Sequence, residues 1–439
     1  MNYRDTLFVD ELGHLNIGGV DTVDLARRFG TPLYVLDEDY VRRVCRAFIR
    51  TLKDNYGNGT VAYASKAFSA KSIYKIVGEE NMSVDVVSMG EMATAIGAGF
   101  NPSKMYFHGN NKLVSELDYA IKNGIGIIVV DNLEEIDIID DIAKNYGVVQ
   151  NVLFRTNPGV EAHTHNFVQT AKIDSKFGFS IANGDADLAV ESAIIKENVK
   201  LLGFHSHIGS QIFEKDAFAL AVDKLTDYVV HVKEKYGMIT EVLNMGGGFG
   251  VWYTDEDPAF SVEEYALYVK NIADTLSRCV EKKDIKKPYL VLEPGRSIVG
   301  EAGITLYSVG MIKDIKDVKK YVCIDGGMGD NPRFALYQAK YSAVVANNAN
   351  AKPTQKVTLA GKCCESGDIV ATVELPDVKR GDIIAVFTTG AYNYSMASNY
   401  NRNVIPPVIL VKDGKADYIV RPQTVEDIMS RDVTPEWIK

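Results

Sequence analysis

Val61-Ala62-Tyr63-Ala64-Ser65-Lys66 is a short apolar run that ends on a lysine. Seven further runs share its form, at residues 83–88, 105–108, 125–131, 152–157, 201–207, 242–248 and 289–295. Each closes on polar, charged or glycine residues, and most are separated by stretches of helical periodicity, as at 69–79, 113–122, 133–145, 218–236 and 262–280. Strand then helix, repeated about eight times, predicts an α/β protein built on a (β/α)8 TIM-like barrel. The C-terminal strand ends of that fold carry the active site. Here those ends supply Lys66, Asp85, His108, Asp131, Arg155, His207, Gly246, Gly247, Gly248, Glu293 and Arg296.

Outside the repeat the texture changes. Residues 6–21 alternate apolar positions with turns and predict a hairpin, and 32–36 predicts a strand. Beyond Glu293, runs at 304–312, 320–324, 356–359, 369–373, 382–388, 407–411 and 417–420 have few helices between them. They predict a second, all-β domain formed by the N- and C-terminal segments. The expected limits are 38–283 for the barrel, and 1–37 with 284–439 for the β domain. The connection from 156 to 183 is long and polar, with His163, His165 and Ser175-Lys176-Phe177-Gly178. A long loop at a barrel's catalytic face is expected to be functional.

The 439 residues exceed one ordinary core, in keeping with two domains. A net charge of −10 leaves no basic excess for nucleic acid. No apolar run nears the ~20 residues that cross a bilayer, so no membrane partner is expected. Met1-Asn2-Tyr3-Arg4-Asp5 opens no basic-then-apolar leader, and five cysteines are an odd number for a disulfide framework. A reduced, cytoplasmic protein is the expectation. Neither Cys-x-x-Cys nor His-Glu-x-x-His occurs, so no metal site is expected.

The chemistry-bearing residues read as follows. Lys66 is either a strand-end lysine with its stem on apolar surface or a Schiff-base lysine activated by partial desolvation. Gly246-Gly247-Gly248-Phe249-Gly250 is a tight turn or a cradle of N–H groups for an anion. A nicotinamide fingerprint would need glycine where Val251 stands. Glu293-Pro294-Gly295-Arg296 sets a carboxylate either against a protonated heterocycle nitrogen or in an ion pair with its own arginine. His205 and His207 share a face, and ring stacking is expected of His207, a structural role of His205. Cys363-Cys364-Glu365-Ser366-Gly367-Asp368 flanks two thiols with charge, which disfavours an inert core. Gly390-Ala391-Tyr392-Asn393-Tyr394 is a surface turn or places a tyrosine on a phosphate. An aldehyde-trapping amine, anion cradles, an acid for a ring nitrogen and a thiol together describe pyridoxal 5′-phosphate (PLP) chemistry.

With these motifs the chain resembles the alanine-racemase-like (fold type III) PLP-dependent decarboxylases, and most closely the diaminopimelate decarboxylases. The segments that carry the resemblance are Tyr63-Ala64-Ser65-Lys66-Ala67, His205-Ser206-His207-Ile208-Gly209-Ser210-Gln211, the glycine turn, Glu293-Pro294-Gly295-Arg296, Asp325-Gly326-Gly327-Met328, Asn331-Pro332-Arg333-Phe334-Ala335-Leu336-Tyr337, Cys364-Glu365-Ser366-Gly367-Asp368 and Gly390-Ala391-Tyr392. The resemblance implies that Lys66 carries PLP, that Glu293 pairs with its ring nitrogen and that His207 stacks on the ring. It implies that Ser210, Gly246, Gly247, Gly248, Pro294, Gly295, Arg296 and Tyr392 complete the cofactor site. Arg296, Arg333 and Tyr337 would bind the distal carboxylate of an amino-acid substrate and Glu365 its distal ammonium, with Tyr392 also among the substrate-binding residues. Cys364 would be the proton donor, in a homodimer with shared sites. The implied reaction is decarboxylation of meso-2,6-diaminopimelate to L-lysine and CO2, the last step of lysine biosynthesis. A decarboxylase of ornithine, arginine or lysine is the alternative on the same scaffold.

Overall fold

The computed structural model describes residues 3–159, 176–258 and 261–438. His163, His165 and Ser175 of the long connection lie outside the described residues. The chain divides into two compact units: Met1–Val41, Trp252–Ala259 and Val299–Lys439 form one, Arg42–Val251 and Phe260–Ile298 the other.

The second of these is the barrel. Its strands are β1 (Gly59–Ala64), β2 (Ser83–Val86), β3 (Met105–Phe107), β4 (Ile127–Val130), β5 (Gln150–Asn157), β6 (Val199–His205), β7 (Val242–Asn244) and β8 (Tyr289–Leu292). All are parallel, each pairs with its successor, and β8 pairs back onto β1 through Leu290, Val291 and Leu292. Closure leaves no free edge. Because β8 closes the ring, the barrel runs past the expected limit of residue 283. Helices follow most of the strands, among them Lys71–Glu79, Met89–Gly97, Val114–Lys122, Leu133–Tyr146 and Lys215–Tyr236. Their starts are locally encoded: Ser88 and Asn132 accept the N–H groups of Glu91 and Glu135 as N-caps.

A layer of apolar side chains fills the barrel: Ala62, Tyr106, Val129, Leu153, Leu202, Val242 and Val291. Side chains alternate in and out along a strand, so the residue two positions further on faces the same way. On β3, β4, β5, β7 and β8 those residues are His108, Asp131, Arg155, Asn244 and Glu293. One strand breaks the count. The β5–β6 register shifts between Leu201 and Gly203. Gly203 lies so close to β7 that a Cβ there would sit 2.0 Å from the Val242 carbonyl oxygen. The bulge moves inward-facing parity from Leu202 to His205.

The other unit is the all-β domain. Its main sheet runs in the order Ile369–Leu375, Gln355–Ala360, Lys319–Ile324, Gly303–Ile315, Leu33–Asp37, Val408–Lys412, Lys415–Val420. Leu33–Asp37 thus lies between two strands from the far end of the chain, which ties the N-terminal segment to this domain. Leu7–Val9, Leu15–Ile17 and Val20–Asp21 make a separate small sheet, one strand more than the expected hairpin. Among the described residues no helix is long and apolar enough to cross a membrane.

Candidate active site

Lys66 is exposed, in a 3-10 turn, Ser65–Ala67, that begins where β1 stops. The turn is fastened from both sides. Tyr63 Oη donates to the Phe68 carbonyl at 2.8 Å, and Ser65 Oγ donates to Glu91 Oε2 at 2.8 Å. The same Glu91 oxygen accepts the Val87 N–H at 2.8 Å.

Glu293, at the end of β8, is buried and closely held. Asn244 Nδ2 donates to Oε1 at 2.5 Å, His108 Nε2 stands 2.8 Å from the same oxygen, and His205 Nε2 is 3.2 Å from Oε2. Burial pushes this carboxyl upward, but the charges and hydrogen bonds of His108 and His205 outweigh it and hold it well below the usual carboxylate range. Burial pushes the His205 imidazole down to about 4. The rings of His108 and His205 meet edge to face at 4.8 Å. His205 is therefore part of the site, a correction to its expected structural role. Its acidic partner is far away in sequence, and the bulge brings the two together. Asn244 is a site residue that motif reading missed, although its place two residues beyond Val242 marks it.

Asp85 is buried 3.8 Å from His108, and its Oδ1 makes no hydrogen bond among the described residues. Burial, then the Glu293 charge, raises its carboxyl, against the pull of His108, Lys66 and Arg155. Half-buried His207 is held well below the ordinary imidazole range, by burial first and then by the Lys66 and Arg155 charges. The Gly247 N–H reaches His207 Nδ1 at 3.3 Å. Arg296 Nη2 donates to Ser210 Oγ at 3.0 Å.

The glycines follow from close backbone approach. A Cβ at Gly247 would lie 1.9 Å from the Glu293 carbonyl oxygen, and one at Gly248 would lie 2.1 Å from that of Gly209. At Gly295 a Cβ would press on Ala64 at 2.8 Å. The turn is thus packed backbone against backbone, and its Gly246 N–H donates to Asn244 Oδ1 at 2.9 Å.

The β domain holds the remaining residues. Arg333 is buried between two aromatic rings, 5.3 Å from Tyr337 and 5.2 Å from Tyr392. Its Nε makes no hydrogen bond among the described residues. Cys364 and Glu365 are exposed, so this thiol is no core hydrophobe.

His108, His205 and Glu293 bring their ligand atoms within 4.8 Å of one another, a set that a divalent cation could also use. PLP fits the barrel rim more fully. An exposed amine, a buried carboxylate held ionised, a half-buried imidazole and a glycine turn that a Cβ would fill match an aldehyde, a ring nitrogen, a ring face and an anion.

The fold and this rim define a PLP-dependent decarboxylase. Residues 41–300 match the family described as pyridoxal-dependent decarboxylase, pyridoxal binding domain. The diaminopimelate decarboxylase of Bacillus methanolicus is 47% identical over 96% of this chain and 97% of its own length, and that of Bacillus subtilis is 46% identical over 96% and 95%. The structure of diaminopimelate decarboxylase from M. jannaschii in co-complex with L-lysine superposes with a TM-score of 0.90 at 34% identity, over 99% of both chains. The chain belongs to the diaminopimelate decarboxylase family.

Proposed function

We propose that this protein decarboxylates meso-2,6-diaminopimelate to L-lysine and CO2 with PLP, the last step of lysine biosynthesis. The observation that carries the reading is the buried Glu293, held ionised by His108, His205 and Asn244 in the same barrel rim as Lys66.

PLP, when bound, supplies the electron sink for the carbon that loses its carboxylate. Lys66 provides the amine that holds the cofactor's aldehyde carbon. Glu293 keeps a proton on the ring nitrogen, since an ionised carboxylate in a site of low polarity strongly favours a cation opposite it. His207 offers its ring face. Ser210, Gly246, Gly247, Gly248, Pro294, Gly295, Arg296 and Tyr392 hold the phosphate end. Cys364 delivers a proton to the substrate carbon after CO2 leaves.

Selectivity lies at the far end of the substrate. Arg333, pre-set between Tyr337 and Tyr392, offers an unused donor to a distal carboxylate, assisted by Arg296, and Glu365 takes the distal ammonium. A substrate lacking that carboxylate leaves the guanidinium buried and unpaired. Because the barrel and the β domain each carry part of this set, the reading includes a homodimer whose sites are shared, working in the cytoplasm.

The test is turnover. Purified protein with PLP should release CO2 and L-lysine from meso-2,6-diaminopimelate far faster than it turns over ornithine, arginine or lysine. Equal or faster turnover of one of those three overturns the assignment.

A further inference from the structure

Asp368 belongs to the β domain and is buried, one residue before the strand Ile369–Leu375. Its two oxygens are used by two different loops. Oδ1 accepts the Met328 N–H at 2.5 Å and Oδ2 accepts the Cys363 N–H at 2.6 Å. Two backbone bonds reinforce the link: Gly361 N–H to the Asp368 carbonyl at 2.9 Å, and Lys362 N–H to the Gly326 carbonyl at 3.1 Å. One loop, 325–332, leads into the helix Arg333–Tyr337; the other, 361–367, carries Cys364 and Glu365. On its far side the cysteine loop is held by Cys364 N–H donating to Asn401 Oδ1 at 2.8 Å.

Each loop also makes room for the carboxylate. A Cβ at Gly327 would lie 2.4 Å from Oδ1, and one at Gly361 would lie 2.3 Å from Oδ2. Two N–H donors facing two oxygens require a group that only accepts. An asparagine would turn an NH2 toward one of those donors and leave it unsatisfied in a buried place.

We propose that Asp368 is a positioning residue for the reaction, setting the loop of Cys364 and Glu365 against the segment that bears Arg333. This rests on the assignment of Cys364 as proton donor and Arg333 as carboxylate clamp. Asp368 acts through them, because proton delivery and the two-sign clamp both need the two loops in one fixed relation, and a displacement of ~1 Å can cost on the order of 100-fold in rate.

The test uses the PLP-loaded enzyme in a Cys363→Ser background, so that one thiol of the loop is labelled. Asp368→Asn removes one acceptor, and Gly361→Ala pushes the carboxylate aside while keeping it. Iodoacetamide labelling of Cys364 without substrate, mapped by peptide mass, should change rate by roughly 5-fold or more in both variants. Asp368→Asn should lower kcat by about 10- to 100-fold, but by less than about 2-fold when added to Cys364→Ala, because residues acting as a unit are not additive. A role confined to stability would instead cost the same in both backgrounds and track the melting temperature. Unchanged labelling in both variants, or equal kcat costs in the two backgrounds, overturns the proposal. If labelling shifts while Cys364→Ala alone keeps full activity, Asp368 still sets the loop and the proton-donor assignment fails.

Discussion

His108 Nε2 stands 2.8 Å from Glu293 Oε1, a contact between the third and eighth barrel strands spanning 185 residues of chain. With His205 it holds the Glu293 carboxyl well below the usual range, overcoming the upward push of burial. Glu293→Gln keeps the shape and removes the charge. It should lower kcat by roughly 10²–10³-fold, on the scale of losing one preorganised electrostatic partner, while cofactor absorbance is retained. A kcat within 2-fold of the parent, taken here as about the noise of such a comparison, would mean the carboxylate is structural.

Lys66 is the exposed amine at the end of β1. Borohydride treatment of the PLP-loaded protein, followed by peptide mapping, should place the pyridoxyl group on Lys66. Finding it on another lysine would refute the assignment.

Lys66 belongs to the barrel and Cys364 to the β domain. If a dimer builds its sites from both chains, mixing Lys66→Ala with Cys364→Ala, each reduced to residual activity on its own, should restore about a quarter of the parent activity after random exchange. No recovery, with exchange verified, would show that each chain builds its own site.

Arg333 sits between Tyr337 and Tyr392 with an unused Nε donor. Arg333→Ala should remove on the order of 3–5 kcal/mol of transition-state binding for meso-2,6-diaminopimelate. The loss should be much smaller for residual activity on a substrate without the distal carboxylate. Equal losses in kcat/KM for both would assign Arg333 to the fold or the cofactor instead.

Asp330 lies in the same loop as Met328, accepting the Gly327 N–H at 2.8 Å and the Tyr307 hydroxyl at 2.5 Å. Burial raises its carboxyl to about 7; the hydrogen bonds from Tyr307 and Gly327 resist, and the charges of Asp368 and Asp325 add to the rise. A folded-state value above the unfolded one, ~3.9, means the native state binds the proton more tightly. Stability from this group is complete below about pH 4 and is lost as pH rises toward about 7. Asp330→Asn mimics the protonated form. The stability difference, parent minus variant, should therefore fall across that window and level off above it. Denaturant melts at several pH values would show it, and a difference that is flat or rises with pH would contradict the assignment.

Much of this protein was legible in local pattern. Alternating apolar runs, helical periodicity between them and the polar residues at strand ends define a barrel and its working rim, because strand and helix periods are properties of neighbouring residues. The texture after Glu293 marks the β domain for the same reason. Lys66, Glu293 and the glycine turn stand out because strand parity and a glycine run can be counted along one chain segment.

Tertiary structure alone decided the contacts. The bulge at Gly203 turns His205 inward to Glu293, so its role depends on how closely β6 can approach β7. Asn244 gains its function only where Glu293 ends the neighbouring strand. Asp368 accepts the Met328 N–H across 40 residues of chain, and Arg333 is framed by a tyrosine from another segment. Period and turn chemistry are written in adjacent residues, whereas a hydrogen bond or a ring contact between distant residues exists only once packing has brought its two ends together.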